Sequence, residues 1–289
     1  MAENYSPLRY PGGKAGLFNF LNIVLRSNGP IDTYVEPYAG GGGAALALLF
    51  HRSVKNIILN DSDEFIYFFW KAILSDTKKF LRKLEKTPVS VKEWKRQKAV
   101  LSKGKASLLD MGFAAFYVNR CNRSGIFNAG PIGGLDQTGH WKIDARFNKS
   151  MLKERIERIA TYKNQIKVFN WDALQFLKNI FPKVCTEQKK ALIYLDPPYY
   201  EKGDSLYRRY YKEADHLALN AFLKEKLRAK WVLSYDDVPF IRSLYDGKTK
   251  NSISVNHFAY KAKIGKELVI FSDNCIQKKQ HKQLNLFVD

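Results

Sequence analysis

The run Ala191-Leu192-Ile193-Tyr194-Leu195-Asp196-Pro197-Pro198-Tyr199-Tyr200 frames the reading of the whole chain. Five apolar residues in succession predict a short buried strand, and the prolines end it abruptly. Proline fixes φ and carries no N–H, so the turn presents carbonyls rather than donors. Asp196, the Pro197 carbonyl and the Tyr199 ring therefore meet at one strand end. That trio suits a flat heterocycle with an exocyclic amine. Such an amine is a poor nucleophile because its lone pair is delocalised into the ring. Asp196 and Pro197 could each accept one of its hydrogens, drawing the nitrogen toward tetrahedral geometry, while Tyr199 stacks on the ring. The gain would come from positioning and electrostatic preorganisation. A strand-ending Pro-Pro turn with an incidental carboxylate is the bland alternative.

Working outward, strands and helices alternate on both sides. Upstream lie a strand over Ile166–Phe169 and a helix over 173–180. Downstream, residues 215–228 form an amphipathic helix with Leu219, Phe222, Leu223 and Leu227 on one face. A strand over 231–234 and a β pair over 252–258 and 267–272 close the chain. The first 74 residues read the same way: strand Thr33–Glu36, a glycine turn at 40–43, a buried helix over 44–50, strand 56–59 and a helix over 65–74. Between these halves, residues 75–165 break the alternation. Helical patterns fill Thr77–Lys86, 91–102, 107–118 and 149–162, and a Gly/Asn-rich stretch over 119–141 predicts a hairpin or ordered loop. The expected fold is a doubly wound, mostly parallel α/β domain (1–74 plus 166–289) interrupted by a mainly helical insertion at 75–165. The polar tail 277–283 is expected to fray.

The chain carries 48 Lys and Arg against 28 Asp and Glu, a net charge of +20, with 45% hydrophobic residues to build an ordinary core. The insertion alone holds 20 basic and 8 acidic residues, a net of +12. Such a surplus favours a polyanion. No basic amphipathic helix with a clear apolar face stands out, so nucleic acid is favoured over a membrane. Lys92, Lys95, Arg96 and Lys98 are candidates for phosphate contacts, and 119–141 for reading bases. The loop 201–212 interleaves Tyr207, Arg208, Arg209, Tyr210 and Tyr211, a composition that grips phosphates and stacks on bases, or simply a solvated loop. Cys121, Cys185 and Cys275 are far apart with no CxxC, offering neither a disulfide framework nor a zinc site. No metal is expected. Residues 1–14 hold no apolar signal segment, and the apolar stretches 44–50 and 65–74 are too short to span a bilayer. A soluble, cytoplasmic protein is expected.

At the amino-terminal end, Glu36 closes one strand and Asp61 follows another, with Gly40 and Gly42 between them. Strand, acidic residue, glycine turn, helix, strand, acidic residue is an order that binds adenosine-containing cofactors at the carboxyl edge of a parallel sheet. It would also suit a dinucleotide, or a tight turn needing small residues. Asp172, after the 166–169 strand, could reach an adenine amine or cap the following helix. Tyr10 and Lys14 flank a glycine turn, and Lys14 could pair with a cofactor carboxylate or be a generic loop lysine.

These blocks together resemble the Dam-type DNA adenine-N6 methyltransferase family, the Asp-Pro-Pro-Tyr class dependent on S-adenosylmethionine. The matching blocks occur in order: Leu8-Arg9-Tyr10-Pro11-Gly12-Gly13-Lys14, Val35-Glu36-Pro37-Tyr38-Ala39-Gly40-Gly41-Gly42, Asn60-Asp61, Asn119-Arg120 with Phe127-Asn128, Asp172, Asp196-Pro197-Pro198-Tyr199, and Gly265-Lys266-Glu267-Leu268. The likeness implies a seven-stranded sheet and a target-recognition region placed where the basic insertion was read. It implies that Tyr10, Lys14 and the Glu36-Pro37 to Gly42 turn touch the methionine part of S-adenosylmethionine, that Asp61 holds its ribose and Asp172 its adenine. Asp196, Pro197 and Tyr199 would hold an adenine flipped from double-stranded DNA, with Asn119, Arg120, Arg123 and Asn128 on the DNA side. A cognate restriction endonuclease is a candidate partner. Two departures stand out. The segment after Asn119-Arg120 is more compact than in relatives that read GATC, so Arg123 is only a candidate for their guanine-reading arginine. Tyr10 stands where those relatives carry tryptophan.

Rival readings share parts of this pattern. Cytosine-N4 and RNA amino-methyltransferases keep the same cofactor logic, but more often show Ser or Asn where Asp196 stands. A nicotinamide-dependent dehydrogenase explains the glycine turn and leaves Asp-Pro-Pro-Tyr and the charge unexplained. A catalytically dead DNA-binding methyltransferase fold is the third.

Overall fold

Seven short runs of aliphatic and aromatic residues pair into one sheet. They are β1 (Thr33–Glu36), β2 (Asn56–Asn60), β3 (Ile166–Phe169), β4 (Ala191–Leu195), β5 (Lys230–Asp236), β6 (Lys250–His257) and β7 (Lys263–Phe271). The computed structural model describes residues 5–10, 14–200, 211–257 and 263–276. The sheet order is β3-β2-β1-β4-β5-β7-β6. The first five strands are parallel, with Tyr34 opposite Ile57 and Leu192, and Tyr194 opposite Val232. β7 alone runs antiparallel to both its neighbours. The order reverses between β1 and β4, the switch point where open α/β sheets bind ligands beyond their carboxyl ends.

Alternation along the strands builds two cores. Tyr34, Ile57, Leu192, Tyr194 and Val232 face one layer, and Val35, Ile58, Ile193, Leu195 and Trp231 face the other. β4 is buried along its whole length, as a central parallel strand must be. On the first face lie α1 (Phe18–Ser27), α2 (Gly43–Phe50) and α3 (Glu64–Ser75). α2 is apolar all round and buried from Ala44 to Phe50, so it sits inside the layer rather than on its surface. The second face is covered by Phe176, Leu177 and Phe181, by Leu219 and Leu223 of the helix Glu213–Glu225, and by Ile241.

The segment between α3 and β3 holds α4 (Thr77–Lys86), α5 (Val91–Lys103), α6 (Leu108–Cys121) and α7 (Lys149–Thr161). Each starts where the sequence predicts it because a polar side chain caps it. Asp76, Ser90, Ser107 and Asn148 accept hydrogen bonds from the amides of Lys79, Glu93, Asp110 and Met151. α1 carries no such signal in the sequence: Leu17 stands at its N-cap and supplies no side-chain bond. The helix expected over 173–180 is broken into Ala173–Gln175, a π-helical turn Phe176–Ile180 and Phe181–Val184. The stretch after α6 is an ordered loop closed by a bridge between Asn122 and Pro131. Gln137 stitches its tip, donating to the carbonyls of Ile132 (2.9 Å) and Gly134 (2.6 Å) and accepting from the Ile143 amide (2.8 Å).

The insertion is continuous with the sheet in packing. Phe80 and Leu84 of α4, all of α6 from Met111 to Val118 except Gly112, and Leu152, Ile156 and Ile159 of α7 share one buried cluster with α2, α3 and the first sheet face. α6 crosses α3 at Gly112, where an added Cβ would lie 2.4 Å from both Ala72 Cβ and the Phe68 carbonyl oxygen. The expectations for the tail 277–283 and for Pro11 to Gly13, Tyr207 to Tyr210 and Phe258 lie outside the described residues. Gly112→Ala should destabilise the protein by about 2 kcal/mol, because overpacking two backbones outweighs the gain in helix propensity. Its melting temperature, followed by scanning fluorimetry, should drop by several degrees; an unchanged melting temperature would refute this close crossing.

Candidate active site

β4 delivers Asp196 to the carboxyl edge of the sheet, beside the ends of β1 and β5. Its Oδ1 accepts from Ser234 Oγ on β5 at 2.9 Å, and Ser234 in turn bonds the Tyr194 hydroxyl at 2.8 Å. Lys14 Nζ stands 3.2 Å from the same Oδ1. Burial pushes the Asp196 carboxyl up to about 6, with Glu267 adding to the rise and Lys14 and Ser234 opposing it. A carboxylate kept in this range is a good acceptor for an amine hydrogen near neutral pH.

Lys14 is buried among acceptors. Its ammonium donates to Glu267 Oε1 at 2.8 Å and to the Tyr199 hydroxyl at 3.0 Å, and lies 5.4 Å from the centre of the Tyr199 ring. Burial opposes its charge, yet Asp196, Tyr199 and Glu267 hold its pKa well above the usual lysine value. The Tyr199 hydroxyl also bonds Glu267 Oε1. Tyr199 is thereby pinned at its tip, and the turn behind it is pinned by the Tyr200 amide on Asp236 Oδ1 (3.0 Å) and by Tyr200 stacking on Phe240 (4.4 Å, 21°). Glu267 has no site role in the sequence reading; its signals there are its place in the block Gly265-Lys266-Glu267-Leu268 and at the head of the apolar run Leu268-Val269-Ile270-Phe271.

The glycine turn after β1 closes against aromatic side chains. Gly40 has φ +47° and its missing Cβ would sit 2.8 Å from the Tyr10 ring; Gly42 has φ +60° and would meet Trp70 at 2.9 Å. The Gly40 carbonyl accepts from Trp70 Nε1 at 3.1 Å. Gly40 and Gly42 are thus required first by Tyr10 and Trp70. Asp61 accepts from the Gly40 amide (2.7 Å) and the Asp63 amide (2.8 Å), which ties the end of β2 to this turn. Asn60, fully buried, bonds the carbonyls of Pro37 and Trp171 and the Trp171 amide, so one side chain aligns three strand ends. Asp172 caps the helix it precedes, through the Gln175 amide at 3.0 Å. Glu36 is buried, and burial, together with the nearby Asp196, raises its pKa to about 8.

The DNA-side candidates divide into two groups. Lys92, Lys95 and Arg96 lie exposed on one side of α5, although Arg96 also stands 3.6 Å from Glu93. Arg123 and Asn128 are exposed on the loop after α6. Asn119 and Arg120 are not on the surface. Asn119 is 0% exposed and clamps the amino-terminal block, accepting from the Arg9 amide (2.8 Å) and donating to the carbonyls of Arg9 (2.7 Å) and Gly125 (2.8 Å). Its side chain is saturated by backbone groups and has no reach to a duplex. Arg120 is 6% exposed and bonds the Arg146 carbonyl; burial and the neighbouring Arg9, Arg155 and Arg146 lower its pKa to about 9. Lys98 donates to the Phe127 carbonyl at 2.9 Å, so its ammonium orders the loop. Asn119 therefore leaves the set of base or phosphate contacts and becomes the latch between the amino-terminal block and the insertion. Among the described residues no group of three or more His, Cys, Asp or Glu side chains could hold a metal ion, and no helix is long and apolar enough to cross a membrane.

Raised carboxylate pKa values carry a sign. The folded chain keeps protons on Glu36 and Asp196 at pH values where the unfolded chain, with carboxyls near 4, has lost them. The stability they contribute is complete below about pH 4 and is lost as pH rises through about 6 for Asp196 and about 8 for Glu36. The melting temperature of the ligand-free protein should fall between pH 6 and pH 8, and Glu36→Gln should flatten that decline. Parallel curves for the two proteins would contradict the assignment to Glu36.

Comparison with known proteins adds the family. Residues 10–259 match the family model described as D12 class N6 adenine-specific DNA methyltransferase. The chain is similar to the Type II methyltransferase M.MjaIII of Methanocaldococcus jannaschii, with 24% identity over 263 residues, 83% of this chain and 87% of that protein. Solved structures are similar more loosely. The RNA methyltransferase candidate PH1948 from Pyrococcus horikoshii aligns with a TM-score of 0.45 and 12% identity, over 92% of this chain and 87% of its own. The rRNA methyltransferase aviRa from Streptomyces viridochromogenes aligns with a TM-score of 0.42 and 17% identity over the same shares. With the match covering residues 10–259, most of its length, the chain belongs to the D12 class of N6 adenine-specific DNA methyltransferases.

Proposed function

We propose that the chain transfers a methyl group from S-adenosylmethionine to the N6 amine of an adenine flipped out of double-stranded DNA. The observation that carries this reading is the end of β4, where Asp196 and Tyr199 are held by Lys14, Ser234 and Glu267 beside the acidic end of β1. Asp196 and the Pro197 carbonyl would accept the two amine hydrogens, and Tyr199 would stack on the base. Direct in-line transfer needs no nucleophilic side chain, and none of the three cysteines is called on. The catalytic work left to the protein is to align the amine and to receive the proton it loses, for which Asp196 is the nearest base.

The residues at the strand ends fit the cofactor. Asp196 and Glu267 share the Lys14 ammonium and Asp61 adds a further carboxylate at the strand ends, leaving negative charge in surplus. A ligand with a sulfonium and an ammonium offsets that surplus. Bound S-adenosylmethionine supplies an electrophilic methyl group on its sulfonium. Tyr10, lying on Gly40, and the Glu36-Pro37 to Gly42 turn would hold its methionine part, Asp61 its ribose and Asp172 its adenine. Lys14 is already engaged by two carboxylates; a cofactor carboxylate would share it.

The DNA side rests on the net charge and on α5. Lys92, Lys95 and Arg96 would contact phosphates, with Arg123, Asn128 and the ordered loop reading bases. A helical insertion over 75–165 then serves as the recognition region, and the site of action is the cytoplasm. A cognate restriction endonuclease is the partner expected for such an enzyme.

Incubation with unmethylated plasmid and S-adenosylmethionine, followed by modification-sensitive single-molecule sequencing, should show N6-methyladenine in one recurring context. Methylcytosine, or unmodified DNA, would overturn the reading. Asp196→Ala should abolish transfer while S-adenosylmethionine still binds by calorimetry; an unchanged rate would remove Asp196 from the chemistry. Affinity for duplex should fall steeply with salt, and the triple substitution Lys92→Ala, Lys95→Ala, Arg96→Ala should reduce the log–log salt slope by about 2 to 3. An unchanged slope would take α5 off the DNA.

A further inference from the structure

Glu267 comes from the antiparallel strand β7, opposite Asp236 in register, and is 1% exposed. It reaches Lys14 from β7, which lies beyond β5 from the strand that carries Asp196. A carboxylate this deeply buried persists only with partners. Its Oε1 has two, Lys14 Nζ and the Tyr199 hydroxyl, while Oε2 has no hydrogen-bond partner among the described residues. Asp196 Oδ1 competes for the same ammonium. One cation is thus shared by two carboxylates that belong to strands of opposite direction.

We propose that Glu267 is a positioning residue of the transfer site: it fixes the Tyr199 ring through its hydroxyl and draws Lys14 partly away from Asp196, leaving Asp196 able to accept an amine hydrogen. The proposal rests on the methyl-transfer reading above. With Lys14 given wholly to Asp196, the carboxylate would be neutralised by an ion pair and would be a weaker acceptor. The groups that face Asp196 are Lys14 from the amino-terminal block, Tyr34 and Glu36 from β1, Tyr194 from β4, Ser234 and Tyr235 from β5, and Glu267 from β7. Of these, Lys14 is the cation and Glu267 is the carboxylate bonded to it, so exchanging Glu267 for a neutral residue shifts the balance in one direction.

Glu267→Gln isolates the charge, since the amide oxygen can still accept from Tyr199. Its kcat at saturating S-adenosylmethionine should fall by about tenfold, a larger loss than any weakening of cofactor binding. The acidic limb of its kcat–pH profile should move to lower pH, because Asp196 loses a like charge and gains the ammonium. Glu267→Ala should lose more, having freed the Tyr199 hydroxyl as well. An unchanged kcat and pH profile in Glu267→Gln would overturn the proposal. So would a loss of rate matched by equal losses in cofactor affinity and melting temperature, with no shift of the profile. A crystal structure of Glu267→Gln provides a readout independent of substrate: Lys14 should close on Asp196, and an unmoved Lys14 would count against the charge-sharing role. Methylation of cytosine or RNA by the wild type would refute the proposed function while leaving the Glu267 comparison to be run on that substrate.

Discussion

A buried ammonium between a buried and a half-buried carboxylate organises this molecule. Lys14 reaches the carboxyl edge of the sheet from the amino-terminal block, and Asp196 and Glu267 arrive from β4 and β7. Both carboxylates meet the same ammonium, and the Tyr199 hydroxyl takes its place beside Lys14 and Glu267. The arrangement requires β7 to run antiparallel into the sheet next to β5, because that pairing sets Glu267 opposite Asp236 and within reach of the end of β4. Sheet topology and site electrostatics are therefore one constraint.

For Lys14 to arrive, the chain before it must be docked. Asn119 does this from the end of α6, bonding the Arg9 backbone on both sides, and Gly125 lets the Arg9 carbonyl approach, since a Cβ there would lie 2.3 Å from it. Arg9 reciprocates with the Asn122 carbonyl at 2.7 Å. The amino-terminal block, the turn at Gly40 and the insertion thus meet without an intervening solvent layer.

The basic insertion uses its cations unevenly. Some face solvent on α5, whereas Lys98, Arg120 and Arg155 are anchored on carbonyls of Phe127, Arg146 and Ser6. Those bonds shape the loop and the amino-terminal block. A raw net charge of +12 therefore overstates the number of groups presented to a polyanion.

Strand positions, the capped helix starts in the insertion and the Asp-Pro-Pro-Tyr turn were all legible from the chain alone. Each is governed by local chemistry: period-two apolar runs, a Ser, Asp or Asn that satisfies a helix amide, and proline's fixed φ. The carboxylates at strand ends were legible for the same reason. What only the tertiary structure decided was which polar groups answer one another across long sequence distances. Asn119 stands in a block that looks like a DNA contact, yet its side chain is consumed 110 residues away by Arg9. Glu267 stands in the block Gly265-Lys266-Glu267-Leu268, which names no partner for it, yet it closes on Lys14 across 253 residues. A local pattern specifies φ and burial of one element; the partner of a buried charge is set by how elements pack, and that information is not local.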